Sequence, residues 1–180
     1  MVAYIHVGYF FYWGMVIMKD VLQTERLRLR KMHDDDAEDL YKIWANPRVA
    51  NYMNIEPFTT ANQALAMIRV INDAPYALRY SVLLENEIIG SAGFNDMNGA
   101  SGVVEIGYDL AEHYWRRGFG TEIVRALLTE ATHHHYTEVH AKIAPRNEGS
   151  IKLVEKLAFT YQATFEEEGQ QVALYTKKLQ

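Results

Sequence analysis

The chain contains no cysteine, which removes disulfides, thiolate nucleophiles and zinc ribbons together. Proline is scarce, with 4 residues in 180, and no Pro/Gly/Ser-rich stretch is long enough to link two domains. Internal repeats are lacking. So is any run of the roughly 20 apolar residues needed to span a bilayer. Basic residues are scattered rather than massed, and the formal net charge is −5. That balance argues against nonspecific nucleic-acid binding and suits a cationic substrate. With neither a membrane span nor a secretion signal legible, the cytoplasm is the expected compartment. A chain of this length buries roughly 70 percent of its unfolded surface, enough for a core without metal or cross-link.

The first eighteen residues stand apart. Val2 to Val16 is apolar, aromatic and without formal charge, yet it lacks the positive flank and small-residue cleavage site of a signal peptide. Residues 1–18 are therefore read as an N-terminal extension and 19–180 as a single domain. The extension arises from an upstream start codon, or it packs on this subunit or between two in a homodimer. A catalytic role is not expected of it.

What the chain does contain is an anion cradle. Val103 to Leu110 is short, β-branched and apolar, the pattern of a buried strand. Ile123, Val124, Leu127, Leu128 and Ala131 then recur at helical spacing. Between them lies Trp115-Arg116-Arg117-Gly118-Phe119-Gly120-Thr121-Glu122, so Gly118 or Gly120 opens the helix. The first turn carries unpaired N–H groups and the positive end of the helix dipole. Two glycines let a phosphate approach that backbone, and two arginines add forked donors. No Lys-Ser/Thr pair follows, as a nucleotide-hydrolase loop requires, and the three glycines of a dinucleotide fingerprint are missing. A solvated turn remains the rival reading.

Around this centre the pattern reads as one α/β (α+β) domain with a mixed sheet and four helices. Val21 to Met32 alternates Leu27 and Leu29 inward with Arg26, Arg28 and Arg30 outward, a half-buried strand with a solvated arginine face. Asp34 to Asp36 starts a helix that buries Leu40, Ile43 and Trp44 and ends near Pro47. Asn46 to Phe58 reads as a loop, and Thr59 or Thr60 caps a second helix ending before Pro75. Strands follow at Tyr80–Leu84 and Ile88–Phe94, then a polar turn over Asp96–Gly102. Past the long helix come a strand at 136–143, a short helix at 150–157, and a closing hairpin of 160–167 with 172–178. His133, His134, His135 and His140 have no acidic or cysteine partner at ligand spacing, so no metal site is expected.

Arg116-Arg117-Gly118-Phe119-Gly120-Thr121 resembles the Arg/Gln-x-x-Gly-x-Gly/Ala acyl-CoA pyrophosphate loop of the GNAT superfamily of N-acetyltransferases. More narrowly, the chain resembles the branch of RimJ/RimL-type ribosomal-protein Nα-acetyltransferases. Further stretches match in order: the strand at Thr24–Arg30, the strand Glu87–Phe94, Glu105-Ile106-Gly107-Tyr108, and the Asn-x-x-Ser helix with its turn over Asn147–Phe159. The likeness runs from about Met18 to Leu179. It implies a GNAT fold, one mixed, mostly antiparallel twisted sheet of six to seven strands flanked by about four helices. It also implies acetyl-CoA as co-substrate and direct attack by a primary amine in a ternary complex. The acceptor implied is a protein N-terminus, with a small amine (polyamine, amino acid or aminoglycoside) as the alternative and a non-catalytic CoA sensor as a third reading.

Site roles follow from both arguments. Glu105, a carboxylate in an apolar strand, is the candidate general base, acting through a water. A glutamate facing solvent or paired with an arginine is the alternative. Asp109, on the same face of a regular strand, is the runner-up or an ammonium anchor. The resemblance implies that the backbone of Ile106, Gly107 and Tyr108 pairs with the pantetheine arm, and a strand glycine tolerates such close approach. Tyr108 itself reads as core. The resemblance gives Asn147 to the cofactor arm and Ser150 to the leaving thiolate, while Asn147 alone reads equally as a helix cap. Two departures matter. Val154 stands where many superfamily members carry a tyrosine acid, and Ala158 stands where a glycine usually precedes the phenylalanine, which strains a left-handed turn. Arg146, Lys152 and Lys156 are candidates for the adenosine phosphates.

Overall fold

The computed structural model describes residues 18–53, 55–98 and 101–180. The expected N-terminal extension lies outside them, Met18 excepted. Eight strands form one open sheet in the order β1-β2-β3-β4-β5-β6-β8-β7. The strands are β1 (Val21–Gln23), β2 (Leu27–Lys31), β3 (Leu78–Leu84), β4 (Glu87–Asn98), β5 (Val103–Leu110), β6 (Glu138–Ile143), β7 (Thr160–Glu167) and β8 (Gln170–Lys178). Five helices accompany them: α1 (Ala37–Trp44), α2 (Pro47–Met53), α3 (Ala61–Asp73), α4 (Phe119–His133) and α5 (Glu148–Lys156). This is the mixed α/β fold expected, with more pieces.

The extra strand and helix have local causes. Val21 to Met32 is broken into an antiparallel pair because Thr24 Oγ1 accepts from the Leu27 amide (2.9 Å) and turns the chain there. The stretch from Asn46, read as a loop, holds α2: Pro47 starts it, where a missing N–H costs nothing, and Asn46 Oδ1 accepts from the Arg48 amide at 2.9 Å. Helix α3 starts as its sequence implies, with Thr60 and Gln63 closing a reciprocal cap. Strand β4 runs on to Asn98, through much of the expected turn.

The arginine face is solvated at Arg26 and Arg28, as expected, but partly buried at Arg30. Arg30 forks onto Asp36 (2.5 and 2.7 Å), and Arg26 pairs with Glu122 of α4. Asp36 is buried and also accepts from Ser81 and the His33 amide, pinning the start of α1 to β2 and β3. Burial works to raise its pKa, but the hydrogen bonds from Arg30, Ser81 and His33 and the guanidinium charge hold it below the usual carboxylate range. The core lies between the sheet and its helices. Ile123, Val124, Leu127 and Ala131 of α4 are buried as their spacing predicts, while Leu128 is partly exposed.

One junction positions the site. Every ladder is antiparallel except β5 with β6, which run parallel and pair only from Val103–Ile106 to Glu138–Ala141. Beyond Ile106, β5 stays with β4 up to Leu110, while β6 stays with β8 up to Ile143. The two strands part, and among the described residues Gly107 to Leu110 have no ladder partner on the β6 side. Unpaired backbone beside an opening is a place for a ligand strand to hydrogen-bond.

Candidate functional site

The opening between β5 and β6 continues into a cavity of about 440 Å³. Its walls are the end of β5, the turn into α4, the first turns of α4 and α5, and α2 as a roof. The turn into α4 is built from two left-handed residues, Arg116 (φ 59°) and Gly118 (φ 83°). Gly118 caps the helix without a side-chain bond, and the first helical amide to find an intrahelical acceptor is that of Glu122, on Gly118 O. The amides of Phe119, Gly120 and Thr121 are therefore open donors at the positive end of a 15-residue helix. Arg116, Gly118, Gly120 and Thr121 line the cavity there, and Lys152 and Lys156 of α5 line it from across. The donor set suits a pyrophosphate.

Gly120 has a second duty. A Cβ there would lie 2.7 Å from Leu153 Cδ1, so the glycine lets α5 close on α4. Arg117 and Phe119 do not line the cavity. Phe119 is buried in the core beneath the guanidinium groups of Arg26 (4.3 Å) and Arg117 (5.3 Å), and Arg117 also lies over Tyr114. These two shape the turn and leave anion contact to their neighbours. Arg146 binds the Asn51 carbonyl at 2.5 Å instead of lining the cavity.

Asn147 and Ser150 stand at the far wall. Asn147 Oδ1 accepts from the Ser150 amide at 3.1 Å, so it caps α5 while lining the cavity. Tyr108 faces Ser150 from β5. Its hydroxyl is buried, and burial pushes it up to about 12 against an opposing pull from Ser150. It nonetheless completes no protein hydrogen bond of normal geometry. Ile106, one pleat back, is buried in the core, so only its backbone is available.

The opposite face of β5 is polar. A bulge in β4 between Phe94 and Asp96 throws out Asn95, whose Nδ2 donates to Glu105 Oε1 (3.1 Å) and whose Oδ1 accepts from Arg79 (2.9 Å). Lys142 of β6 pairs with Glu105 Oε2 at 3.2 Å and with Glu167 of β7 at 2.6 Å. Burial works against the ammonium, but both carboxylates hold its pKa above the ordinary lysine value. A Cβ at Gly107 would lie 2.7 Å from Asn95 Nδ2 and 2.8 Å from Arg79 Nη1, so those two side-chain ends would have to shift. Protein side chains, rather than a ligand backbone, crowd Gly107 on this face.

Asp109 is spent. Oδ1 accepts from Trp44 Nε1 (3.2 Å) and the Ser91 amide (3.3 Å); Oδ2 accepts from Arg79 (3.1 Å) and the Ser91 hydroxyl. Four donors fill the four lone-pair sites of a carboxylate. Burial pushes its pKa up, against the charge of Arg79 and the bonds from Ser91 and Trp44. Glu105, with two donors and 19% of its side chain exposed, keeps lone pairs for a substrate or water.

Sequence reasoning read the roof of the cavity, within Asn46–Phe58, as a loop and missed its helix. Arg48, Val49, Tyr52 and Met53 of α2 line the cavity, with the Tyr52 ring 5.9 Å from that of Trp115 and the Arg48 guanidinium 5.5 Å over Trp115. The signal was present: Pro47 at a helix start, followed by pairs at i and i+4. Among the histidines, His134 bonds Glu130 and His140 bonds Glu138, each at 3.0 Å. No helix among the described residues is long and apolar enough to cross a membrane.

Comparison with known proteins agrees with this geometry. Residues 26–160 match the family model of the acetyltransferase (GNAT) domain. The chain is 42% identical over 146 residues to the uncharacterised N-acetyltransferase p20 of Bacillus licheniformis, covering 78% of this chain and 82% of the relative. It is 28% identical over 148 residues to the uncharacterised N-acetyltransferase YoaA of Bacillus subtilis, covering 79% and 84%. Among solved structures, the acetyltransferase from Salmonella typhimurium that modifies the N-terminal serine of ribosomal protein L7/L12 aligns with a TM-score of 0.77. It shares 18% identity, covering 89% of this chain and 99% of that one. A RimL enzyme in complex with coenzyme A aligns at 0.76 and 18% identity, covering 88% and 98%.

Proposed function

This chain belongs to the GNAT acetyltransferases and is an N-acetyltransferase, and from that premise we propose that it moves an acetyl group from acetyl-CoA to the N-terminal amine of a protein or peptide by direct attack in a ternary complex. The observation that carries the reading is the cavity joining the open amides of α4 to the end of β5, where that strand has parted from β6. A long cofactor with a pyrophosphate at one end and a pantetheine arm at the other needs that combination: anion donors at one wall and unpaired strand backbone at the next. The likeness in fold to an acetyltransferase that modifies the N-terminal serine of ribosomal protein L7/L12 supports the acceptor class.

An amine in neutral water is mostly ammonium and must lose a proton before it attacks the thioester carbon. Glu105 is the base in this proposal. It lies three residues before Tyr108, about 10 Å along an extended strand, and on the other face. A bridging water therefore carries the proton. Base and thioester then stand on opposite faces of β5, so amine and cofactor enter from different sides. Asp109 does not compete for the role, since its lone pairs are taken.

The test is release of thiol from acetyl-CoA against N-terminal peptides, polyamines, amino acids and aminoglycosides. The protein has no cysteine and gives no background with a thiol-reactive dye. Peptide-stimulated release is expected, with Glu105→Gln lowering kcat by about 100-fold or more while acetyl-CoA still binds. Release with small amines alone overturns the acceptor, and failure to bind acetyl-CoA overturns the reading itself.

A further inference from the structure

The proposed reaction expels a thiolate, and the strand wall of the cavity carries one poorly satisfied hydroxyl. Tyr114, a cavity neighbour, turns its hydroxyl toward Glu87. The Tyr108 hydroxyl is buried, interacts with Ser150 and completes no hydrogen bond of normal geometry among the described residues, an arrangement that folded proteins keep rare because water is given up for little. Two other buried side-chain polar atoms among the described residues share that state, Arg79 Nε and Tyr136 Oη, and neither residue lines this cavity. Tyr108 lies where β5 has left β6, opposite Ser150 in the first turn of α5. The anion donors of α4 occupy a different wall. A cofactor whose phosphates sit at α4 and whose arm follows the free edge of β5 delivers its thioester toward the wall that Tyr108 and Ser150 share.

We propose that the Tyr108 hydroxyl is the hydrogen-bond donor to the sulfur of the departing thiolate, with Ser150 beside it as second donor. This rests on the acetyl-CoA reading above. Nitrogen bonds to the carbonyl carbon, the tetrahedral adduct collapses, and the C–S electron pair passes to sulfur. Tyr108 meets that charge with its O–H. A tyrosine held near 12 is a weaker acid than a thiol near 8.5, so it shares its proton with the sulfur and does not surrender it. The ammonium substrate gives up two protons in all, one ending on the thiol and one in solvent, and the protein returns unchanged.

Tyr108→Phe deletes one oxygen. Because that oxygen completes no hydrogen bond of normal geometry in the free protein, Tm is expected to change little or rise. The single-turnover rate with acetyl-CoA is expected to fall about 100- to 1,000-fold, the range seen when one donor to a developing anion is removed. Binding supplies a readout independent of turnover. The wild type should bind CoA more tightly than desulfo-CoA, and Tyr108→Phe should reduce that preference while leaving the desulfo-CoA Kd within about twofold. Ser150→Ala should lose less rate than Tyr108→Phe, and the double variant should lose less than the product of the two. A Tyr108→Phe enzyme with wild-type single-turnover rate and an intact CoA preference overturns the proposal, while loss of turnover in Glu105→Gln leaves the parent reading standing. Absence of acetyl-CoA binding by the wild type overturns both.

Discussion

At the scale of single residues, chemistry here depends on how many partners a group already has. Glu105 and Asp109 lie on one face of one strand, and sequence offers both as base. The structure gives Asp109 four donors and Glu105 two. Those partners come from β3, β4, β6 and α1, so no reading of β5 alone finds them. Asp36 makes the same point for stability. Its folded pKa is lowered, so its contribution is present above the unfolded value near 3.9 and is lost as pH falls from there through the lower folded value. Asp36→Asn is expected to cost about 3 kcal/mol at pH 7, because Arg30 is left without its forked partner. The gap between variant and wild type should close as pH drops below about 4. Urea titrations at pH 7, 4 and 3 measure it; a constant difference across that range would refute the assignment.

At the scale of elements, most of the architecture was legible because caps and periodicity are local. Gly118 opening α4, Thr60 with Gln63 opening α3, and the buried stripe of α4 appear where the pattern puts them. The left-handed turn expected at the end of α5 occurs at Ala158, φ 62°. Gly118 is the position where geometry and function coincide: φ 83° costs an L-residue about 1–2 kcal/mol, and the same kink exposes three amides. Gly118→Ala is expected to lower Tm by about 2–8 °C and to weaken acetyl-CoA binding about tenfold or more as the amides swing out of line. Calorimetric titration with acetyl-CoA beside a thermal melt checks both arms; unaltered affinity would separate this turn from the phosphates. Helix α2 was missed because seven residues are too few for periodicity to declare itself, and only its proline and capping asparagine marked it.

At the scale of the molecule, the first described residues are tied into the core. Met18 is buried in the core, and the Lys19 amide donates to Glu130 at 2.9 Å. Glu130 is itself buried, and although burial works to raise its pKa, the Lys19 amide, His134 and the Lys19 charge lower it on balance. A chain starting at Met18 is expected to keep Tm within about 3 °C and acetyl-transfer rates within about twofold of the full length. Melting and turnover of the two forms side by side decide it; loss of either would give the first seventeen residues a role in the domain.

Periodicity and spacing determined the class of fold, the glycine turn that opens α4 and the faces of α3 and α4, and short motifs carried the family resemblance, because each is written within a turn of helix or a few pleats of strand. The point at which β5 and β6 separate is of another kind. So are the Arg30–Asp36 anchor, the saturation of Asp109 and the poorly satisfied hydroxyl of Tyr108. Ser91 and Asp109 are 18 residues apart and Trp44 and Asp109 are 65, and the order of strands across the sheet alone decides that they meet. Local rules choose the elements; which side chains have a partner left to find is decided only when those elements are packed together.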